Sequence, residues 1–511
     1  MVALTIRQHR LSLSLLVLLS GLITAAAVPS YGTTYTSTSA RIAAVAMAKA
    51  NAASTLMYGI LPSPGLPGQI AVWELGSLTC LSVAIVGSLL SVRLSRGAED
   101  SGFIEMVRSC GVGPGRPEAV ALAVLGSTAV LLGLSTGAGL QRLGGITSHD
   151  AAIYGASVAL TFLIAATATM AAGQFVANAR QAQLAGGLLV AAFFLARGAA
   201  DARGWTWLGY LSGLSVMERA SPATHNDVAP LIVALGLSLL LAATTVYAAR
   251  RRELGAGLLP SRTASRRPLR IHSIFRLDSV LTVPGTVMWA VACAAVSGLL
   301  AAMGVSTVQT AREAGIQGGF LGSQLGGEDP ALAFLRYVGT IAALLASACA
   351  ILVVTRHRKD ERDGLLEVVR STGIAPAGPL ASLVGHAAIA GAVVLAAASA
   401  CCAVVGSSSL GVEPIDAVRV VLGQWPAVVA LVGFSALAVG TSPRLAMLSW
   451  LPTGFGALIA FLGKLLDLPS SIVHSGLYAQ AAQWQSAWLF ALGLFSAISG
   501  CLIAGRRDLR R

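Results

Sequence analysis

A charged segment of sixteen residues occurs twice in the chain. Residues 99–114 and 361–376 align without gaps, and eight of the sixteen positions are identical. In each copy, charged residues alternate with apolar ones at helical spacing, which predicts a short amphipathic helix. Glu105 and Arg108 are three positions apart, so we expect a local ion pair there, and its counterpart in the second copy. A glycine and then a proline follow each predicted helix and would end it.

Such a helix suits binding rather than catalysis. Lying at the membrane face, it would offer a charged edge to a soluble partner. The alternative is an interfacial anchor helix that has no partner. Because the segment is duplicated at the same position in each half of the chain, we favour a partner that is itself two-fold.

Sequence patterns for catalysis, metal binding and ATP binding are missing. The nearest likeness to a phosphate-binding loop, Gly463-Lys464, lacks both the upstream spacing and the hydroxyl residue. There is no His-Glu-x-x-His motif and no nucleophile elbow, and the seven cysteines have no metal-ligand spacing. We therefore expect no catalytic residues, no metal site and no enzyme activity in this chain.

Composition places the chain in a lipid bilayer. Of its 511 residues, 55% are hydrophobic and 11% are charged, and the mean hydropathy is +0.76. Apolar runs of about 18 or more residues recur between short charged loops, a pattern of membrane helices rather than of a soluble core. Windows of about 19 residues predict an all-α, polytopic membrane protein with about twelve spans. The span centres fall near residues 20, 82, 130, 163, 192, 239, 292, 345, 393, 428, 455 and 495.

The basic residues indicate orientation rather than nucleic-acid binding. The 35 lysines and arginines outnumber the 22 acidic residues, but no basic stripe carries interleaved aromatic residues. Most of them fall in the N-terminus, in the loops after spans 2, 4, 6, 8 and 10, and in the tail 505–511. This bias predicts a multi-pass membrane protein with both termini cytoplasmic and no nucleic-acid partner.

The N-terminal segment admits two interpretations. A basic start, an apolar stretch and the run Ala25-Ala26-Ala27 are compatible with a cleaved signal peptide. We favour a retained first span, because it gives an even number of spans and keeps the two halves equivalent.

The repeat divides the chain into two halves. Each copy follows the second span of its half, and each half ends on a similar signature, Arg251-Arg252-Glu253-Leu254 and Arg506-Arg507-Asp508-Leu509. An even number of spans separates the copies, which predicts a parallel repeat. The predicted domains are a first six-span half at 1–257, a basic cytoplasmic linker at 258–279 and a second six-span half at 280–511. The linker region is either simply solvated or binds anionic lipid head groups.

In these features the chain resembles the ABC-2 type permeases of the actinobacterial "exporter of polyketide antibiotics" family. The resemblance covers almost the whole chain and depends on the order and spacing of several motifs. These are residues 51–59 before Trp73-Glu74, the Glu-x-x-Gly-x-x-Glu loop in both halves, Ser221-Pro222, and residues 251–257.

The resemblance implies two fused six-helix halves of the type V exporter kind, with coupling helices near 97–114 and 359–376. These would contact two copies of a separate ABC ATPase, which would bind ATP and Mg²⁺, while this chain would bind no cofactor. The implied ATPase-coupling residues are Glu99, Gly102, Glu105, Arg108, Glu361, Gly364, Glu367 and Arg370. Aromatic residues between spans 5 and 6 of each half would form an outer gate, or would be interface anchors. They are Trp205, Trp207, Tyr210 and Trp484.

The function implied by the resemblance is export of a small hydrophobic or amphipathic compound, such as an antibiotic or drug-like molecule, by alternating access driven by the ATPase. The main alternative is a proton-coupled secondary drug carrier, which would need carboxylates within its spans. Glu74 and Asp201 lie near span ends, and His386 stands alone on an apolar helix, as packed histidines often do.

Overall fold

The computed structural model describes residues 1–50, 52–258, 271–314, 329–462, 469–479 and 486–507. Within these residues the chain is helical and has no strand, and eleven helices are long and apolar enough to cross a membrane. The prediction of an all-α, polytopic membrane protein is confirmed. The chain divides into two compact units, Met1–Arg266 and Arg267–Arg511.

The first unit contains six of the long apolar helices, joined by short ones. Its α-helices, α1 to α13 in order, are Val2–Thr34, Thr38–Ala50, Ala52–Tyr58, Pro67–Ala71, Ser77–Leu94, Arg96–Asp100, Phe103–Ser109, Arg116–Leu140, Ser148–Gly173, Ala179–Arg203, Thr206–Leu211, Val216–Ala220 and Ala229–Arg251. A π-helical turn, Val72–Gly76, connects α4 to α5, so that one long span runs over Pro67–Asp100. The short helices α2 and α3 lie where only a loop was expected.

Small residues let the spans of the first unit approach closely. α8 packs on both α1 and α9. A Cβ atom on Gly155 of α9 would fall on the carbonyl oxygen of Gly133 of α8, nearer than real atoms approach. In a membrane, where apolar burial does not drive helices together, such close backbone contact is a main source of helix association.

The second unit has the same kind of architecture. Its α-helices, α14 to α22 in order, are Ile274–Ala314, Pro330–Arg362, Leu365–Ser371, Gly378–Leu410, Pro414–Leu422, Trp425–Thr441, Leu451–Leu462, Ser470–Ser475 and Ser486–Arg506. The helices α19 and α22 cross at glycines, because a Cβ atom on Gly433 would overlap the backbone of Gly493.

The structure describes only part of the predicted span near residue 455. It falls on α20, Leu451–Leu462, which is described over only 12 residues and is not among the eleven long helices. Residues 463–468, which follow it, lie outside the described residues, as do Arg262, Arg266, Arg267 and Arg270 of the predicted linker. The division into a parallel repeat of six-span halves stays a prediction.

Candidate functional site

The duplicated segment forms the same local structure in both units. In each copy a glycine in the left-handed conformation starts a seven-residue helix, α7 or α16, and a second such glycine follows it. These are Gly102 and Gly111 in the first unit, with φ of 74° and 85°, and Gly364 and Gly373 in the second, with φ of 74° and 84°. Open space surrounds all four, so the backbone conformation rather than packing requires glycine. We call α7 and α16 the repeated helices.

Each repeated helix is held by one buried apolar residue and turns its acidic side outward. Ile104 is 4% exposed and Leu366 is 3% exposed, whereas Glu105 and Glu367 at the next position are exposed. The predicted amphipathic helices are thus present, and their glutamates are accessible to a partner.

Apolar side chains accompany these exposed glutamates. Met106 in α7 is 59% exposed, and Leu365 and Val368 in α16 are also exposed. Interfaces bury apolar contacts at their centre and carry polar groups at their rim. The exposed face of each repeated helix offers both kinds of group.

The predicted local ion pair is wrong. In the part of the chain that the structure describes, no ion pair joins Glu105 to Arg108 or Glu367 to Arg370 within 4 Å. Arg370 instead donates hydrogen bonds to the carbonyl oxygens of Ala504 (3.0 Å) and Pro376 (3.2 Å). Carbonyl oxygens near a helix C-terminus lack intrahelical donors and carry partial negative charge, and Ala504 lies in the last turn of α22.

A buried ion pair in the first unit joins Glu99 to Arg252. Two guanidinium nitrogens of Arg252 lie 2.5 and 2.6 Å from the two carboxylate oxygens of Glu99, and both side chains are 4% exposed. The backbone N–H of Gly255 also donates to this carboxylate, at 2.7 Å. The pair therefore fixes the start of the duplicated segment to the C-terminal end of α13, the last span of the unit.

Arg96 extends this contact to a third span. Its side chain is 1% exposed and lies 3.0 Å from the Glu99 carboxylate. It donates to the carbonyl oxygens of Gly173 (2.8 Å) and Val176 (2.5 Å) at the C-terminal end of α9. Buried charges are tolerated only when they are paired and hydrogen-bonded, and removing one partner costs about 3–5 kcal/mol.

The second unit repeats the contact with Arg507 and Glu361, which form an ion pair. Glu361 occupies the position of Glu99 in the duplicated segment, and Arg507 is the second arginine of the closing signature, as Arg252 is. We call these two ion pairs the anchoring pairs. Both motifs were visible in the sequence, but nothing in their spacing showed that they meet.

The predicted gate residues of the first unit lie at the end of α10 that is far from the duplicated segment. The N-terminus of α10 is near the duplicated segment, because Ala179 N–H donates to the Asp100 carboxylate at 2.8 Å. α10 has 25 residues, so its C-terminal end is about 37 Å away along its axis. Trp205, Trp207 and Tyr210 follow that end and are exposed. Trp484 lies outside the described residues.

Two of these aromatic rings contact arginines. The Arg203 guanidinium lies 5.0 Å from the Trp205 ring centre, and that of Arg219 lies 3.8 Å from the Tyr210 ring centre. Such cation–π contacts order exposed aromatic side chains. The structure does not bring these rings to the repeated helices.

Two sequence motifs meet at this same end of the unit. Helix α3 belongs to the motif at residues 51–59, and Arg197 donates to the carbonyl oxygen of Leu56 at its C-terminal end, at 2.9 Å. The indole N–H of Trp73 donates to the carbonyl oxygen of Gly59 (2.8 Å), and the Ser77 hydroxyl donates to that of Tyr58 (2.9 Å). The short helix is therefore fixed to two spans.

Comparison with known proteins shows similarity to an efflux permease. Residues 272–506 match a family described as the C-terminal domain of the multidrug efflux system permease Rv1217c. The chain is also 24% identical, over 536 aligned residues, to the multidrug efflux system permease protein Rv1217c of Mycobacterium tuberculosis, with 99% of this chain and 94% of that protein covered. These similarities indicate a membrane efflux permease, a transporter rather than an enzyme.

Proposed function

We propose that this chain is the membrane subunit of an ABC-2 type exporter and moves a hydrophobic or amphipathic compound out of the cell. The observation that carries this proposal is the pair of repeated helices. Each exposes a glutamate beside apolar side chains, and each follows a glutamate that an ion pair, buried in the first unit and partly buried in the second, connects to the last span of its unit. Two copies of a separate ATPase subunit bind these helices and supply ATP and Mg²⁺.

A docking role fits the repeated helices better than an anchoring role. An interfacial anchor needs a broad apolar face in the lipid, whereas a seven-residue helix has only two turns. Each of these helices buries one apolar residue against its own unit and leaves its glutamate exposed. The side chains of α7 and α16 therefore suit a protein partner with basic and apolar groups.

The anchoring pairs give a route by which docking would act on the spans. A force on α7 reaches α13 through Glu99 and Arg252, and reaches α9 through Arg96. Packed helices and buried ion pairs resist deformation, so the spans would move with the docked helix as rigid bodies. ATP binding by the two ATPases would then switch the two halves between inward-open and outward-open forms.

The basic residues give the proposed orientation. Both termini and the repeated helices lie in the cytoplasm of a bacterial plasma membrane, where the ATPase and its ATP are available. The aromatic residues after α10 then lie at the outer surface, where they would form the outer gate.

One observation favours the alternative function, a proton-coupled secondary carrier. Glu74 lies within the span Pro67–Asp100 and forms no ion pair within the described residues. Proton-coupled carriers use carboxylates of this kind. The two functions differ in their energy source.

Inside-out vesicles separate the two functions. The chain is co-expressed in turn with candidate ABC ATPase subunits from its own genome, and uptake of the dye rhodamine 123 is followed by fluorescence. We expect uptake to require ATP hydrolysis and to continue when a protonophore removes the proton gradient. Uptake that follows an imposed proton gradient without ATP would contradict the proposal and support the secondary carrier.

A further inference from the structure

Glu74 occupies an irregular turn of its span. It lies in the π-helical turn Val72–Gly76, between the regular helices α4 and α5. A π-helical turn contains an extra residue and hydrogen-bonds less favourably than an α-helix, and such turns are frequent at functional sites. The Trp73-Glu74 motif of the sequence lies within this turn.

Among the residues that the structure describes, no basic side chain pairs with the Glu74 carboxylate. The carboxylate accepts a hydrogen bond from the Tyr31 hydroxyl, at 3.1 Å. No Arg, Lys or His nitrogen of the described residues lies within 4 Å of it. Glu99, by contrast, has two arginines. An ionised carboxylate in a span is costly unless a positive charge neutralises it, so such residues mark sites of function.

Four aromatic residues cluster beside Glu74: Tyr31 donates to its carboxylate, Tyr35 stacks on Tyr31, and Tyr58 packs on Trp73, the residue before Glu74. Tyr31 and Tyr35 stack with ring centres 6.4 Å apart, and Tyr58 and Trp73 pack with ring centres 4.9 Å apart. Burial, and next the negative charge of Glu74, raise the pKa of Tyr35 to about 12. All four rings and Glu74 are half-buried, so part of each remains accessible.

The rings are held in position by neighbouring elements. Trp73 is hydrogen-bonded to Gly59, and the backbone of Tyr58 is hydrogen-bonded to Ser77. Arg197, from α10, fixes the same end of α3. Because these groups are ordered before a ligand arrives, less conformational entropy is lost on binding.

We propose that Glu74 and the rings of Tyr31, Tyr35, Tyr58 and Trp73 bind a lipophilic organic cation as the transported compound. A cation over the face of an aromatic ring is attracted by the ring quadrupole, and the carboxylate supplies the neutralising charge. A divalent metal ion suits the site less well, because it needs several oxygen ligands where one carboxylate is present. The inference rests on the proposed export function and narrows its substrate to cationic compounds.

The position of the Glu74 site in its span agrees with release of the transported compound to the outside of the cell. α5, whose 18 residues are about 27 Å of helix, lies between Glu74 and Arg96, the arginine that contacts Glu99. With the repeated helices in the cytoplasm, Glu74 lies near the outer end of its span, on the same side as the exposed aromatic residues after α10.

Two ions of similar shape and opposite charge test the site. Binding of tetraphenylphosphonium and of tetraphenylborate is measured by equilibrium dialysis with the purified chain in lipid nanodiscs. We expect saturable binding of the phosphonium, weakened at least about tenfold by Glu74→Gln through loss of a partly desolvated charge partner. Binding of the borate should not weaken. Tyr35→Leu should weaken phosphonium binding more than Tyr35→Phe, which keeps the ring.

The matched control is Glu413→Gln, which makes the same chemical change at an exposed carboxylate of the second unit. It should bind phosphonium as the unaltered chain does. Thermal unfolding of each variant separates lost binding from lost folding. Phosphonium binding by a folded Glu74→Gln chain equal to that of the unaltered chain would overturn the inference.

Transport separates the inference from the proposed function. If Glu74→Gln abolished uptake of neutral and cationic dyes alike and left phosphonium binding intact, Glu74 would be a proton carrier and the inference would fail. Co-purification of the ATPase is a separate measurement, because Glu74 is far from the repeated helices. Failure of the ATPase to bind the unaltered chain would contradict the proposed function and leave the binding result standing.

Discussion

Arg252 and Glu99 form a buried, two-point ion pair across 153 residues of sequence. The carboxylate begins the duplicated segment, and the guanidinium follows the last span of the first unit. Arg507 and Glu361 repeat this contact in the second unit. The same connection between a repeated helix and a closing span is therefore present twice in the chain.

Removal of the Glu99 charge should destabilise the first unit. In Glu99→Gln, the cations of Arg96 and Arg252 would remain buried without their shared carboxylate. We expect a loss of about 3–5 kcal/mol in the free energy of unfolding, measured by denaturant titration in detergent. Glu105→Gln, at an exposed carboxylate without an ion pair among the described residues, is the control and should change the free energy of unfolding by less than about 0.5 kcal/mol. Equal stability of the two variants would show that the ion pair is weak.

Gly155 should tolerate no larger residue. Its Cβ would fall on the backbone of Gly133, so Gly155→Ala should separate α8 from α9 and cost about 1–3 kcal/mol. Gly126→Ala in α8 is the matched control, since nothing lies within 4 Å of the added methyl group. That change should be neutral or stabilising, because alanine favours a helix by about 0.5–1 kcal/mol over glycine. Thermal unfolding compares the two variants, and a Gly155→Ala chain as stable as Gly126→Ala would argue against the close crossing.

Thiol labelling should locate the repeated helix α7 in the cytoplasm. Cys110 follows α7 and is exposed, whereas the other six cysteines are buried or half-buried. A membrane-impermeant maleimide should label Cys110 in inside-out vesicles but not in intact cells. A cysteine introduced at Thr33 in a Cys110→Ser background should label in intact cells. The reverse pattern would contradict the orientation.

Charge reversal on the repeated helices should abolish binding of the ATPase. Glu105 and Glu367 are exposed and form no ion pair with any residue that the structure describes, so Glu105→Arg with Glu367→Arg should leave the melting temperature almost unchanged. At an interface, loss of a charge contact can cost roughly 2 kcal/mol or more, over tenfold in affinity. We expect the double variant to lose co-purification of the ATPase and transport.

The control reverses two exposed carboxylates elsewhere, by Asp227→Arg with Glu413→Arg. This variant makes the same change in net charge and should keep the ATPase. If the repeated-helix variant also kept both ATPase binding and transport, α7 and α16 would be interfacial anchors.

Hydropathy alone predicted most of the spans. Apolar runs of this length have few alternatives to a membrane helix, because every backbone polar group must be satisfied within the segment. Helices α2 and α3 were missed because their mixed composition between two spans resembles a loop. The span near residue 455 is described only over Leu451–Leu462, because the next six residues lie outside the described part of the chain.

The contacts of the charged residues were predicted less accurately than the spans. Spacing of three residues favoured Glu105 with Arg108, but such local pairs are worth only tenths of a kcal/mol and yield readily to tertiary contacts. Arg370 is an example, because it donates a hydrogen bond to the carbonyl oxygen of Ala504 in α22 instead of pairing with Glu367. Arg252 and Glu99 are far apart in sequence, and their spacing does not indicate that they meet. Duplication of both motifs in both halves was the available clue.

Stoichiometry tests the proposed exporter most directly. Because both repeated helices belong to one chain, one copy of it should bind two ATPase subunits. The measurement is native mass spectrometry of the complex purified in mild detergent with the co-expressed ATPase, with the charge-reversed double variant alongside. We predict a species with one copy of this chain and two ATPases, which the variant lacks. A stable complex with two copies of this chain and two ATPases, or a chain that retains no ATPase, would contradict the account.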